Sequence, residues 1–173
     1  MNQKAANVRV TFPWFFTKTS PALQKEGMAH AEVTYDVSFD ETKGYKTVIS
    51  LTGAVTTLCP CSKEISEYSA HNQRSFVTMT VTVDEGQAAD WKVVLLEAAE
   101  SNASSILYPV LKRPDEKAVT ERAYENPRFV EDLVRLVSAD LYENDAVQSF
   151  TVECRNEESI HQHDAIAKLS YTK

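Results

Sequence analysis

The sequence predicts an α+β protein, an antiparallel β-sheet with consecutive helices segregated between its hairpins. Three observations carry this. Residues 31–39 and 76–83 alternate apolar and polar side chains at every second position, as half-buried strands do. The period then lengthens to a helical one, with Trp91, Val94, Leu95, Ala98 and Asn102 recurring, and later Phe129, Val130, Leu133, Val134, Val137 and Leu141. Strand-like runs return at residues 147–154 and 165–171.

Taken in order, residues 8–16 are apolar and aromatic but broken by Pro13, which suits an edge strand or an extended lead-in. Residues 17–27, with Pro21 and Gly27, read as a connection. In the first alternating run Ala31, Val33, Tyr35, Val37 and Phe39 share one face, and Glu32, Thr34, Asp36 and Ser38 the other. Residues 40–44 form a turn and 45–55 return as the second arm of a hairpin. In the second run Val77, Met79, Val81 and Val83 oppose Thr78, Thr80 and Thr82. Helical spacing then spans residues 87–107. Residues 112–117 read as a polar break. Asn126 as N-cap and Pro127 at the first helical position open a second helix. No short-period repeat or low-complexity tract interrupts the chain.

A chain of 173 residues fits one domain and is long enough to hide roughly 70% of its unfolded surface. Its 43% hydrophobic and 25% charged residues are ordinary for a globular protein. The net charge of -7 argues against general attraction to nucleic acid or an anionic membrane, so an anionic small substrate would need a local basic cluster. Three cysteines make an odd number, the N-terminus has no apolar leader, and no run approaches the ~18 apolar residues of a membrane span. The expectation is a cytoplasmic protein with reduced thiols, in which cysteine serves metal binding or catalysis.

Residues 58–75 are the densest in chemistry, combining Cys59, Cys61, Lys63, Glu64, Glu67, His71 and Arg74. In extended backbone Cys59 and Cys61 would face the same side, and so would His161 and His163. Thiolate and imidazole together suit a borderline divalent ion such as zinc. Spacing alone leaves other readings open. A cysteine is often a small buried hydrophobe, and one beside Lys63 with His71 nearby can be an activated nucleophile. Lys112, Arg113 and Lys117 form a basic island that suits phosphates or a solvated loop equally well. Glu131 borders the apolar stripe of the second helix, where a solvated carboxylate is the plain reading.

Four blocks, however, resemble a known family in its own order. They are Leu58-Cys59-Pro60-Cys61-Ser62-Lys63-Glu64-Ile65-Ser66 with Ala70-His71-Asn72-Gln73-Arg74-Ser75, Leu111-Lys112-Arg113-Pro114-Asp115-Glu116-Lys117, Asn126-Pro127-Arg128-Phe129-Val130-Glu131-Asp132, and Glu158-Ser159-Ile160-His161-Gln162-His163. Together they resemble the type IB GTP cyclohydrolases. The resemblance implies a tunnelling fold, with antiparallel strands carrying two helices on one face, closed into barrels by homo-oligomerisation. A tetramer with sites at subunit interfaces is expected. It implies conversion of GTP and water to 7,8-dihydroneopterin triphosphate and formate, the first step towards tetrahydrofolate.

The same resemblance implies one divalent ion (zinc, manganese or iron) on Cys59, His71, Glu116 and His161, and a catalytic set of Cys59, His71, Glu158 and His163. Glu131 would anchor the guanine ring, and Lys63, Arg74, Lys112 and Arg113 would meet the triphosphate. Cys61 is left outside the ligand set. Neither nucleic acid nor membrane is expected as a partner. Family members carry a further N-terminal segment, so residues 1–173 are read as a single tunnelling-fold region lacking those strands. Two other functions remain in view. One is an NADPH-dependent nitrile reductase of queuosine synthesis, of the same fold, in which the cysteine is a covalent nucleophile. The other is a non-catalytic short form that binds metal or purine.

Overall fold

Long alternating runs become long strands. The computed structural model describes residues 4–84 and 89–173. Strands β1 (Ala5–Thr19), β2 (Glu26–Asp40) and β3 (Gly44–Leu58) form a meander. Helix α1 (Pro60–Ile65), strand β4 (Asn72–Val83), helix α2 (Trp91–Asn102) and the short β5 (Ser105–Ile106) follow. Helices α3 (Arg113–Glu125) and α4 (Val130–Glu143) precede the final hairpin, β6 (Val147–Glu157) and β7 (Ala165–Thr172). The sheet runs β1-β2-β3-β4-β6-β7, antiparallel throughout, with β5 beside β3. It is the α+β architecture expected from the sequence, with helices on one face. No helix among the described residues is long and apolar enough to cross a membrane.

The register gives the sheet two unlike faces. One row reads Phe12, Val33, Leu51, Met79, Val152 and Leu169 across six strands. Helices α2 and α4 cover this side, and Leu95, Leu133, Val137 and Leu141 join Leu51 and Met79 in one buried core. The neighbouring row, on the opposite face, reads Thr11, Thr34, Ser50, Thr80, Thr151 and Ser170. Its hydroxyls pair across strands, Thr11 with Thr34 at 2.8 Å, Ser50 with Thr80 at 2.7 Å and Thr151 with Ser170 at 2.9 Å. Strict alternation in the sequence produces this separation, because successive side chains of a strand point to opposite sides.

Pairing between β2 and β3 ends at Glu32 and Thr52, and the β1–β2 ribbon continues alone to Thr19 and Glu26. Strand β5 takes the vacated place beside β3, with Ile106 opposite Val55. The ribbon is tied down at its tip. Asp115, fully buried in the first turn of α3, accepts the N–H groups of Ala22 and Leu23 at 2.9 Å and of Lys112 at 3.0 Å. Lys18 pairs with Glu100 of α2 and donates to the carbonyl of Leu107 at 2.9 Å. A Cβ at Gly27 would lie 2.7 Å from Pro109 Cγ and 2.9 Å from Val110 Cγ2, so only glycine admits that crossing segment.

Four expectations change. Among the described residues there are four helices rather than two. Residues 112–117 are not a break but the start of α3, a helix polar almost all round, with only Asp115 and Ala123 buried. Asn126 does not open the following helix. It closes α3, donating its N–H to the carbonyls of Arg122 and Ala123, and Phe129 is the N-cap of α4. Residues 17–27 are only in part a connection: 17–19 and 26–27 belong to the two arms of the ribbon, which find their hydrogen bonds in each other, and 20–25 join them. The expected start of α2 at Gln87 lies outside the described residues.

Candidate functional site

The site is built where β3, β4 and β6 end, beside the start of α4. Cys59 follows β3 directly and is the N-cap of α1, its sulfur accepting the N–H of Ser62 at 3.5 Å, with Pro60 at the first helical position. Proline there forfeits no bond and presets the helical φ. This corrects the expectation of an extended Cys59-Pro60-Cys61. The chain turns helical at Pro60, so Cys61 is carried away and stands exposed. Arg128 fixes the other wall, its backbone N–H donating to the Leu58 carbonyl at 3.0 Å and its Nε to the Asn102 carbonyl at 3.2 Å.

Between them lies a cleft of about 270 Å³. Cys59, Glu131, Glu158, His161 and His163 line it, together with Gln73, Arg128 and Asn156. The rings of His161 and His163 stack with centroids 5.2 Å apart. Glu131 occupies the first turn of α4, where a carboxylate also complements the helix dipole. His71, half-buried, does not line the cleft but is tied to both sides of it. Its carbonyl accepts the N–H of Cys59 at 3.1 Å, and its Nδ1 lies 3.1 Å from Ser159 Oγ in the loop that carries His161. A larger hollow of about 800 Å³ at the far end of the sheet, lined by residues such as Asn7, Asp40, Lys43 and Tyr45, contains no thiol or imidazole.

The remaining expected residues lie elsewhere. Glu116 is exposed on the first turn of α3 and does not line the cleft. Lys112 and Arg113, both exposed, begin the same helix. Lys63 donates to the Tyr124 carbonyl and sits 4.2 Å over the Tyr124 ring. Arg74 belongs to the opposite sheet face, in register with Thr56 and Glu157, and lines a separate hollow with His30, Glu32 and Phe76. Among the described residues no three His, Cys, Asp or Glu side chains stand close enough to share a metal ion. The donor chemistry nonetheless suits one, since a thiol and imidazoles share the cleft and soft or borderline divalent ions take such ligands.

Beneath the cleft runs a buried polar chain that sequence reasoning did not assign. His71 Nδ1 lies 3.0 Å from Gln73 Oε1, and Gln73 Nε2 donates to Thr57 Oγ1 at 2.9 Å. Thr57 and Ser75 hydroxyls are 2.8 Å apart, Ser75 donates to Asn156 Oδ1 at 2.6 Å, and the Cys154 thiol contacts the same oxygen at 3.5 Å. Burial pushes the Cys154 thiol up to about 12. A clue was available: Gln73 and Ser75 continue the phase of Val77, Met79 and Val81, so they had to be polar residues on the buried face.

The family model described as type I GTP cyclohydrolase folE2 matches residues 1–167. The GTP cyclohydrolase FolE2 of Halalkalibacterium halodurans is 71% identical and that of Oceanobacillus iheyensis 59%, each aligned over 100% of this chain and 58% of its own length. The chain thus spans a little over half the length of these curated relatives. A uricase from Arthrobacter globiformis aligns with 96% of the chain and 63% of its own, at 9% identity and a TM-score of 0.48. With residues 1–167 matched by one family model and the whole of this chain aligned to relatives 71% and 59% identical, the chain belongs to the type I GTP cyclohydrolase FolE2 family.

Proposed function

We propose that this chain carries the active-site residues of a metal-dependent GTP cyclohydrolase, which converts GTP and water to 7,8-dihydroneopterin triphosphate and formate. Support comes from the family and, above all, from one observation: Cys59, Glu131, Glu158, His161 and His163, drawn from three distant parts of the sequence, line a single cleft. Cys59, His71, Glu116 and His161 would hold one divalent ion (zinc, manganese or iron). The reading requires Glu116 and His71 to reach the ion held by Cys59 and His161, within this chain or from a neighbouring copy in a homo-oligomer. Such an ion supplies the Lewis acidity that lets water act as a nucleophile near neutral pH.

The protein residues do the rest. At about 270 Å³ the cleft lies below the ~300–1,000 Å³ usual for a whole ligand, so it suits the guanine base and leaves the triphosphate outside. The Glu131 carboxylate accepts N1–H and the exocyclic amine of guanine, and adenine would leave it unpaired. One water adds at C8 and the C8–N9 bond breaks, opening the imidazole ring to a formamide. A second water cleaves C8–N7 and C8 leaves as formate. The ribose carbons then rearrange and close onto N7 with loss of a water, so one water is consumed overall. For the two cleavages N9 and N7 need protons, which Glu158 and His163 deliver, each such transfer being worth about 10²–10⁴-fold. Lys63, Arg74, Lys112 and Arg113 are the basic side chains available to the triphosphate, those far from the cleft acting on a neighbouring copy's substrate.

The test is formate release, and a fluorescent pterin after oxidation, from GTP with Zn²⁺, Mn²⁺ or Fe²⁺. Cys59→Ala is expected to lose both metal and turnover, and retention of both overturns the reading. Glu131→Gln is expected to lower kcat/KM for GTP by about 10- to 100-fold, the worth of a charge-assisted hydrogen bond, with metal retained. Metal and guanine binding without product would select the non-catalytic form instead.

A further inference from the structure

The buried chain under the cleft has a direction. We infer that Asn156, Ser75, Thr57 and Gln73 form a one-way hydrogen-bond relay that places the proton of neutral His71 on Nδ1 and leaves Nε2 bare. The direction follows from counting protons, starting at the end farthest from the imidazole. The Cys154 thiol is fully buried, and burial keeps it protonated by pushing it up to about 12. It therefore has an S–H to give and is a poor acceptor, so the amide oxygen of Asn156, not its NH₂, faces it at 3.5 Å. That same oxygen takes the proton of Ser75 at 2.6 Å.

A serine hydroxyl has a single proton, and that of Ser75 is now committed. The 2.8 Å contact between Ser75 and Thr57 must then be donated by Thr57. Thr57 Oγ1 is left to accept from Gln73 Nε2 at 2.9 Å. This turns Gln73 Oε1 towards His71 at 3.0 Å, and an amide oxygen can be met there only by Nδ1–H. Ser159 Oγ lies 3.1 Å from the same nitrogen on the outer side. Thr57 and Ser75, the middle of the chain, are fully buried, so water cannot supply a missing partner there, while Gln73 and Asn156 border the cleft.

If Asn156 were turned over, every proton in the chain would reverse. Gln73 would present NH₂ to Nδ1, and the His71 proton would be forced onto Nε2, blocking it as a ligand or base. The orientation of one buried amide thus decides which nitrogen of a distant imidazole is available. The functional consequence rests on His71 being a metal ligand, as proposed above. A histidine ligand needs its second nitrogen held as a donor, and loss of such a partner typically costs 10- to 100-fold in metal affinity. Gln73, Thr57, Ser75 and Asn156 are positioning residues in this scheme, since none is required to touch substrate.

The experiment reads the tautomer directly. The chain has only four histidines, so selective ¹⁵N-histidine labelling gives four ring systems, with His71 assigned through its loss in His71→Gln. Long-range ¹H–¹⁵N correlation on the metal-free protein, above the imidazole titration range, is expected to show His71 as the Nδ1–H form. Ser75→Ala, three hydrogen bonds away, removes the acceptor for Thr57 and is expected to shift His71 towards Nε2–H with the fold intact by circular dichroism. Gln73→Glu keeps an oxygen on Nδ1 and is expected to hold the wild-type tautomer, while Gln73→Leu loses it. Co²⁺ titration should weaken by about 10- to 100-fold in Gln73→Leu and recover in Gln73→Glu. A wild-type His71 in the Nε2–H form, or a tautomer unmoved by both Ser75→Ala and Gln73→Leu, overturns the relay. The expected tautomers with no Co²⁺ binding would leave the relay standing and sink the metal reading alone.

Discussion

Two ends of one sheet face can be set side by side. In the middle of β3, β4 and β6 the helix-covered side chains are Leu51, Met79 and Val152, all fully buried. Farther along the same strands and face come Thr57, Gln73, Ser75 and Asn156, between 0% and 7% exposed. The two ends are almost equally dry and chemically opposite. An apolar side chain needs only volume filled around it, and its contribution scales with area removed from water. A buried polar atom must find a specific partner or cost about 1–3 kcal/mol. The first end therefore holds the fold together, and the second holds particular atoms in particular orientations next to the cleft.

Substitutions that trade the chemistry of one end for the other sharpen this contrast. The largest loss is expected from Leu51→Ala, which leaves a cavity under α2 and α4 and should lower unfolding free energy by about 2–5 kcal/mol in urea titration. A near-zero effect there would mean that the middle of the face is not the core. Smaller and paired are Val81→Thr and Thr57→Val, which are nearly isosteric. Val81→Thr buries a hydroxyl among Ile49 and Phe150, and Thr57→Val orphans Gln73 Nε2. Each should cost about 1–3 kcal/mol by the same titration, yet only Thr57→Val should alter the His71 ring spectrum. Equal spectra for the two variants would erase the distinction.

The smallest expected effect is one of pH, at Asp115, a second place where polar atoms are dry. Burial alone would raise the Asp115 carboxyl, but the N–H groups of Leu23, Lys112 and Ala22 and the Ser20 hydroxyl outweigh it and hold the group at about 2 against its usual 3.8. A carboxyl lowered on folding contributes stability that is complete above 3.8 and is lost as pH falls towards about 2. Asp115→Asn should flatten that acid limb in thermal unfolding followed across this range, and an unchanged limb would show that the buried bonds do not favour the charged form.

Much of the architecture was legible because long strands advertise themselves. Fifteen-residue β2 and β3 keep a period of two, and Val77, Met79 and Val81 do so without a break. What escaped lacked a periodic apolar stripe. Helix α1 is six residues, too short to show one, and α3 buries only Asp115 and Ala123, so its Lys112–Lys117 region looks like a loop. Asn126-Pro127 imitates a helix start because asparagine serves either end of a helix, and tertiary context chose the end. In the cleft, Cys59, His161 and His163 were nameable from residue type and spacing, whereas Glu131 and Glu158 were named only through the family resemblance. Gln73, Arg128 and Asn156 were named by neither. Their part comes from register, since β4 and β6 must be aligned before Ser75 and Asn156 are seen to be opposite each other.

The tether at Asp115 has a dynamic corollary. Among the described residues the ribbon beyond Glu32 has no third strand to lean on, and an isolated pair of strands is only marginally stable. Its tip shares one carboxylate with the first turn of α3, so neither can open without releasing the other. Ribbon tip and helix start consequently belong to one cooperative unit, and their amide hydrogens should trade places with solvent deuterium in step rather than separately.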